Sequence, residues 1–341
     1  MKKKTTIYDI AKELNITAAT VSRALNDNPR ISADTKKLVM ATAKRLNYKQ
    51  NRVAQALKSG KSKNVGVVLP YINRNFFSTV IRGIEEELNP KGYNVIITQT
   101  HEKANKEIDI VQNLLNAQVD GILISVSRQT NSNDHLTQVL KKNVPLIFFD
   151  RKKDIKGGSS VTLDDFQGAY KATQHLIAQG CTKIAHMTID LALLIYQNRL
   201  AGYKQALSEH GIDFNPDYVI GLQSEIVAGI DAAKKLMSLP EPPDAIFSAT
   251  DLGALGAIQY LKEIGKTIPD DFCVVGFSNE PFTQFMELPI SSVDQSPLLM
   301  GKTAAKVFLE QIDSDDVKIE KNVVLSPTLE IRKSSLKRDN Q

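Results

Sequence analysis

The sequence has little cysteine and no apolar run long enough to cross a bilayer. Its two cysteines, Cys181 and Cys273, lie far apart in apolar segments. We therefore expect reduced packing residues of an intracellular protein rather than a disulfide. Residues 1–4 resemble the start of a signal peptide, but the following TIYDIAKELN supplies no hydrophobic region behind it. These absences argue against a secreted or membrane protein, and they predict a cytoplasmic one.

Recognisable catalytic motifs are also missing. The sequence contains no phosphate-binding loop, no G-x-S-x-G elbow, no HExxH and no G-x-G-x-x-G after a strand. Its five histidines show no metal-ligand spacing. We therefore expect neither an enzyme nor a metal or cofactor site.

Charge is distributed unevenly along the chain. Residues 1–63 hold 15 basic and 4 acidic residues, a local net charge of +11. The remainder holds 28 basic and 34 acidic residues, a net charge of −6. A basic head on an acidic body is typical of a nucleic-acid-binding module joined to a second domain.

The head contains the pattern of a helix-turn-helix within residues 7–26. Thr6 is a predicted helix N-cap, and Asp9 completes a capping box. Apolar residues then recur at helical spacing until Asn15, which tolerates the left-handed conformation of a helix C-terminus. Thr17 is the predicted N-cap of the second helix.

The second helix presents a polar face that fits the DNA major groove. This face carries Ala18, Ala19, Ser22, Arg23 and Asn26. Arg23 can bridge guanine O6 and N7, whereas the two alanines can only contact thymine methyl groups. The alternative is an ordinary helical hairpin with a solvated polar face.

Two further segments complete the predicted head and its connection to the body. Ser32 caps a third helix over 33–48, in which Leu38 is expected to join the core. Residues 51–63 are predicted to form a hinge with a short helix. In the hinge, Leu57 is either a wedge for a minor-groove base step or one surface leucine of a plain linker.

The body alternates strand-like and helical segments. Runs such as VGVVLP, GILISVS and PLIFFD are typical of parallel strands that are buried on both faces. The rhythm restarts after the pair Gly157 and Gly158, which suggests a structural duplication. We therefore predict an α/β body of two doubly wound parallel-sheet subdomains beside the all-α head.

Ligands of such sheets bind beyond the carboxyl ends of the strands. Phe76, Phe77, Asp150, Asp164, Arg199, Asp251 and Ser278 all follow strand-like runs or lie near the same rim. Either Asp164 or Asp165, and also Asp251, can instead be ordinary helix N-caps, and the two phenylalanines can be core residues.

These segments resemble the LacI/GalR family of bacterial transcription regulators. The likeness is close through TIYDIAKELNITAATVSRALN and onward to VGVVLP, and looser along the rest of the chain. It implies a periplasmic-binding-protein-like body and an intercalating role for Leu57. The DNA-binding residues it implies are Thr6, Tyr8, Thr17, Ala18, Ala19, Thr20, Ser22, Arg23, Asn26 and Arg30, with Asn51, Ala54, Leu57 and Lys58 in the hinge.

The same resemblance implies ligand contacts by Phe76, Phe77, Asp150, Asp164 and Arg199. The sequence departs from the family where GFSN replaces G-F/Y-D, because Ser278 stands in the place of an aspartate. The segment LALLIYQ is also unusually apolar. Both departures argue against a simple neutral sugar and favour a modified, acidic or phosphorylated sugar, or a less polar metabolite.

The resulting hypothesis is a repressor that binds operator DNA as a homodimer under the control of a sugar-like effector, without a cofactor; a tetramer is not expected. A solute-binding protein and a non-specific architectural DNA binder are the alternatives. The predicted domains are a head (1–50), a hinge (51–63), a body (64–332) and a disordered polar tail (333–341). Within the body, the subdomains are predicted as 64–162 with 292–322, and 163–291 with 323–332.

Overall fold

A computed structural model describes residues 5–49, 60–222, 225–313 and 320–337 of the chain. The chain divides into a head unit, Met1–Ser62, and a body unit, Lys63–Gln341. Among the described helices, none has both the length and the apolar character that a membrane span needs.

The head is built from α1 (Ile7–Leu14), α2 (Ala18–Leu25) and α3 (Ala33–Arg45). The Asp9 carboxylate accepts hydrogen bonds from the Thr6 N–H and hydroxyl, both at 2.8 Å. Asn15 ends α1 with a left-handed φ of 51°, and the Thr17 hydroxyl accepts the Thr20 N–H at 3.1 Å. The predicted helix-turn-helix and its caps are therefore confirmed.

A small apolar core joins the three helices. It is formed by Ile10, Ala11, Val21, Ala24, Val39 and Ala43. Leu38 is 54% exposed instead of buried, so its predicted core role is wrong. The helical period that turns Val39 inward leaves its neighbour on the outer face.

The first sheet of the body is six-stranded and entirely parallel, in the order β11-β5-β4-β3-β1-β2. Its strands are β1 (Asn64–Leu69), β2 (Asn94–Gln99), β3 (Gly121–Ile124), β4 (Leu146–Phe149), β5 (Ser159–Leu163) and β11 (Asn322–Leu325). Its helices are α4 (Asn75–Leu88), α5 (Ala104–Asn116), α6 (Asp134–Lys141) and α12 (Pro297–Asp313), and Asn89–Lys91 forms a 3₁₀ turn.

The second sheet has the order β12-β10-β9-β8-β6-β7, and only β12 runs antiparallel to its neighbour. Its strands are β6 (Ile184–Thr188), β7 (Val219–Gly221), β8 (Ala245–Ser248), β9 (Cys273–Ser278), β10 (Ser291–Asp294) and β12 (Thr328–Glu330). Its helices are α7 (Asp165–Ala178), α8 (Leu194–Glu209), α9 (Ile226–Met237), α10 (Asp251–Glu263) and α11 (Phe282–Phe285), and Pro216–Tyr218 forms a 3₁₀ turn.

The predicted pair of doubly wound subdomains is confirmed, with small shifts at two crossings. The chain passes between the sheets after β5, after β10 and after β11. The crossings predicted at 291–292 and 322–323 therefore move to 294–297 and 325–328. β10 pairs with β9 through its last residue, and β11 pairs with β5 to its end, so backbone hydrogen bonding sets both crossing points.

Helices α4 and α12 cross at a pair of glycines. A Cβ atom on Gly83 would overlap the Leu298 carbonyl, and one on Gly301 would overlap the Val80 carbonyl. The absence of side chains lets the two backbones meet. This contact fixes α12 against the first sheet although α12 follows a strand of the second.

The C-terminal segment is ordered through Lys337, so the prediction of a disordered tail is wrong for 333–337. Ser334 and Ser335 are fully buried. The Ser334 hydroxyl donates to the Val274 carbonyl at 2.6 Å and accepts the Ser291 N–H at 2.8 Å. Residues 333–337 thus add hydrogen bonds to the backbone of the second sheet. A polar sequence alone does not predict this burial.

Asp251 is a buried carboxylate at the start of α10. It accepts the Ser292 hydroxyl at 2.6 Å and the Glu280 N–H at 2.7 Å. Burial raises the pKa of Asp251 to about 7, although both hydrogen bonds oppose the shift. Asp251 therefore ties α10 to β10 and to the turn after β9.

We predict that the stability of wild type relative to the Asp251→Asn variant falls as pH rises from about 4 to about 7. The folded-state pKa of Asp251 lies above its ordinary value of 3.8, so the native state binds the proton more tightly. Its contribution is complete below pH 4 and is lost through pH 7, by about 2–4 kcal/mol. Calorimetry from pH 4 to pH 8 measures this loss. Equal slopes for both proteins would contradict the assignment.

We further predict that ending the chain at Arg332 lowers its free energy of unfolding by about 2–4 kcal/mol. Each buried hydrogen bond that is lost contributes about 1 kcal/mol, and Ser334 and Ser335 make several. A chain that ends at Lys337 is the matched control and should unfold like the full chain. Urea denaturation compares the three proteins, and equal stability of all three would refute a structural role for 333–337.

Candidate DNA interface and effector cleft

The predicted DNA-binding residues of the head lie on its surface. None of the ten is buried; they are Thr6, Tyr8, Thr17, Ala18, Ala19, Thr20, Ser22, Arg23, Asn26 and Arg30. Tyr8 is 71% exposed, and Arg23 is exposed in the last turn of α2. Exposed cationic and aromatic side chains are suited to contact phosphates and base edges.

Some of these residues are partly committed to the head itself. Ala18 packs against the core of the head. Less of the Ala18 side chain is therefore available to DNA than the sequence predicts. The Asn26 side-chain amide donates to the Ser22 carbonyl at 2.8 Å. Arg23 and Ala19 therefore remain the most open positions on α2. The hinge predictions, Asn51, Ala54, Leu57 and Lys58, lie outside the described residues.

A cleft of about 500 Å³ lies in the body where the carboxyl ends of the two sheets face each other. The first lobe, which is the part of the body around the first sheet, contributes the residues after β1 to β4. The second lobe, around the second sheet, contributes residues after β6 to β10 and α8. The charged residues of the lining are Arg74, Glu102, Arg128, Asp150, Arg151, Arg199, Glu225 and Glu280.

Three groups of the first lobe form a buried charge cluster. Arg151 donates from one terminal nitrogen to both Glu102 oxygens, at 2.9 and 3.0 Å. Its Nε lies 3.7 Å from Asp150 Oδ2, and the Ser125 hydroxyl donates to the same oxygen at 3.1 Å. Burial raises the pKa of Asp150, although Arg151 opposes the shift. Glu102 and Asp150 also have positive φ angles of 62° and 61°, a conformation that is uncommon outside turns and functional sites.

Arg199 of the second lobe is held from three sides. It donates to Asp165 Oδ1 from Nε at 2.8 Å and to the Ala249 carbonyl at 2.9 Å, and its second terminal nitrogen lies 2.7 Å from the same Asp165 oxygen. Its guanidinium carbon lies 3.6 Å from the Phe277 ring centroid. Burial raises the pKa of Asp165 to about 6, although Arg199 lowers it. The ion pair and the ring fix the orientation of Arg199 in the cleft wall.

One ion pair joins the lobes across the cleft. Arg128 follows β3 in the first lobe, and its Nε lies 3.5 Å from Oδ2 of Asp190, which follows β6 in the second lobe. Both side chains are partly exposed. A surface pair of this kind contributes little to stability.

Five of the seven predicted ligand residues line the cleft: Phe76, Phe77, Asp150, Arg199 and Ser278. Asp164 lies outside this lining and caps α7 by accepting the Gln167 N–H at 2.9 Å. The carboxylate that pairs with Arg199 is Asp165, the residue after Asp164. Asp251 also lies outside the lining, and its two hydrogen bonds hold it beneath the turn after β9.

Several lining residues were not predicted. Glu102 lies three positions after the end of β2, and Glu280 lies two positions after Ser278. Each lies just beyond the end of a strand. The strand-end rule that predicted the other lining residues could therefore have predicted these as well. Glu280 gives the cleft a carboxylate although Ser278 replaces the aspartate that the resemblance implies. Burial raises the pKa of Glu280, whereas Arg74 lowers it.

Comparison with family models covers both units. Residues 6–51 match the model described as bacterial regulatory proteins, lacI family. Residues 62–332 match periplasmic binding proteins and sugar binding domain of LacI family.

Individual relatives align over nearly the whole chain. Catabolite control protein A of Priestia megaterium is 33% identical over 332 residues, 97% of this chain and 99% of its own length. The HTH-type transcriptional repressor PurR of Mannheimia succiniciproducens is 29% identical, over 96% of this chain and 98% of its own.

Solved structures agree with this relation. The lac repressor dimer bound to operator and the anti-inducer ONPF has a TM-score of 0.87 at 26% identity, and covers 98% of this chain and 100% of its own. The complex of the transcriptional regulator CelR with cellobiose has a TM-score of 0.72 at 26% identity, over 97% and 100%. The chain therefore belongs to the LacI family of bacterial DNA-binding transcription regulators, which are not enzymes.

Proposed function

We propose that this protein is a repressor whose affinity for its operator is controlled by a small hydroxylated effector in the cleft. The main support for this proposal is that one chain combines a basic reading head with a cleft between two lobes that is lined by charged residues. Relatives named as repressors and structures with operator or cellobiose support it. The function of a solute-binding protein does not require the head, and the function of an architectural DNA binder does not require the cleft.

The head reads DNA through the exposed face of α2. Arg23 contacts a guanine, Ala19 contacts a thymine methyl group, and the polar side chains at either end bond phosphates. Tyr8 and Arg30 are also exposed and add contacts to the DNA backbone. Such a regulator acts on the chromosome, which places it in the bacterial cytoplasm.

The chain works as a homodimer on a two-fold symmetric operator. Two heads read the two half-sites, and the paired hinges bend the central step through Leu57. In the body, β2 is an edge strand of the first sheet and carries the exposed Ile97, and Ile72 and Ile108 of the same lobe are exposed as well. Exposed apolar side chains along a sheet edge are suited to pairing with a second subunit.

The effector acts by preferring one arrangement of the lobes. Asp150 and Glu280 accept hydrogen bonds from its hydroxyl groups, and Phe76 and Phe77 pack against the apolar side of its ring. Breakage or formation of the pair between Arg128 and Asp190 accompanies the lobe movement. The effector shifts operator affinity only by its difference in affinity between the two arrangements.

We predict that the protein selects one operator from a random duplex library, and that Arg23→Ala lowers its preference for that operator over random DNA by about ten- to a hundredfold. The loss corresponds to about 1–3 kcal/mol for a guanine contact. Lys37→Ala, at an exposed position of α3, is the control that should weaken both DNAs alike. Gel-shift titration at fixed salt measures both. Equal binding of wild type to operator and random duplex would refute a specific regulator.

We also predict that Leu57→Ala reduces operator bending without unfolding the head. The leucine side chain supplies the wedge that unstacks the central base step. Fluorescence resonance energy transfer between the ends of a labelled operator measures the bend. Leu38→Ala, which removes an exposed leucine elsewhere in the head, should leave the bend unchanged. A wild-type bend in the Leu57 variant would contradict the wedge role.

A further inference from the structure

Two cysteines lie together at the amino end of the second sheet, the edge opposite the cleft. Cys181 lies in the segment between α7 and β6, and Cys273 is the first residue of β9. Both are free thiols, 1% and 0% exposed. Because β6 and β9 each pair in parallel with β8, their amino ends meet at one edge although the two cysteines are far apart in the sequence.

Backbone contacts of one aspartate hold the two cysteines in this position. The Asp244 carbonyl accepts the Cys273 N–H at 3.2 Å. The Asp244 carboxylate accepts the N–H groups of Thr182 and Lys183, at 2.9 and 3.0 Å. Thr182 directly follows Cys181 in the chain. Asp244 therefore fixes the backbone beside both members of the pair.

The two thiols also interact directly. The Cys181 thiol donates a hydrogen bond to Cys273, and this bond lowers the pKa of Cys273, although burial raises it and the nearby Lys337 cation lowers it further. The same hydrogen bond, together with burial, raises the pKa of Cys181. The thiolate is the reactive form of cysteine. Cys273 is therefore the nucleophile of the pair, and Cys181 is a second thiol within its reach.

The C-terminal segment packs over this pair. The Ser335 carbonyl oxygen lies 3.9 Å from Cys273 Sγ. The Lys337 N–H donates to the side-chain oxygen of Gln179 at 2.8 Å, and Gln179 lies two residues before Cys181. Because the thiols are fully buried under this segment, a small oxidant reaches them more easily than a bulky one.

We propose that Cys181 and Cys273 are a modification site, a thiol pair that a small peroxide closes into a disulfide. The Cys273 thiolate attacks one oxygen of hydrogen peroxide, the O–O bond breaks, and hydroxide leaves and takes up the thiol proton to become water. Cys273 is then a sulfenic acid. The Cys181 sulfur attacks it, the S–O bond breaks, and the hydroxyl leaves with the Cys181 proton as a second water. Two thiols are oxidised to one disulfide, and one peroxide is reduced to two waters.

The disulfide links the far ends of two elements that hold Arg199. Asp165, the first residue of α7, pairs with Arg199, and the Phe277 ring of β9 packs against its guanidinium. A covalent link restricts the unfolded chain more than the folded one. Oxidation therefore stabilises the second lobe, including the wall that Arg199 forms. This inference does not depend on the proposed function.

Peroxide treatment of the reduced full chain in native buffer tests the pair. The sample is then blocked with iodoacetamide and digested without reduction. We expect mass spectrometry to find one peptide pair joined through Cys181 and Cys273, lighter by two hydrogen atoms than the two thiol peptides, in a protein that remains unlinked to other copies. The Tm should rise by at least about 5 °C, and dithiothreitol should reverse both changes.

Two matched variants assign the roles of the thiols. In Cys181→Ser the sulfenic acid on Cys273 has no second thiol, so dimedone should trap it. In Cys273→Ser the remaining Cys181 should keep its thiol during the same exposure. The Tm of each reduced variant shows whether it is folded.

Three results would overturn the proposal. They are thiols that survive peroxide in folded wild type, oxidation that yields linked copies or sulfonic acids instead of the internal disulfide, and a disulfide form whose Tm does not rise. Equal trapping by dimedone in both folded variants would overturn the assignment of Cys273 as the nucleophile.

Discussion

Paired charges face each other where the carboxyl ends of the two sheets meet, and they set the positions of the cleft walls. Asp150, Arg151 and Glu102 close one wall, and Arg199 with Asp165 closes the other. Such pairs cost desolvation energy that their attraction barely repays, so stability alone does not explain them. They hold donors and acceptors in fixed directions around a cavity, which is the requirement of a ligand site.

Local patterns predicted the head and the layout of the body well. Thr6, Asp9, Asn15 and Thr17 act through neighbours within four residues, so their roles follow from spacing. The runs of apolar residues that form β1, β3, β4 and β6 also carry their own signal, because an inner parallel strand is buried on both faces.

Long-range contacts account for what the sequence could not predict. Which of Asp164 and Asp165 pairs with Arg199 depends on the direction of each side chain. Asp165 makes the pair, although Arg199 lies 34 residues further along the chain. Ser334 and Ser335 are buried, although their own sequence is polar, because their hydroxyl groups bond Val274, Ser291 and His175. Hydrogen bonds between distant segments produce no periodic pattern of residues in the sequence of either segment.

The proposed regulation requires that the cleft and the reading head are coupled. Linkage requires that a ligand which changes operator affinity by some factor has its own affinity changed by operator to the same extent. The most direct measurement is the operator Kd of the full chain at fixed salt, with and without a saturating cleft ligand, together with the converse titration. We predict equal factors of about 5- to 150-fold in both directions. An operator Kd that stays constant while the ligand fills the cleft would contradict the account.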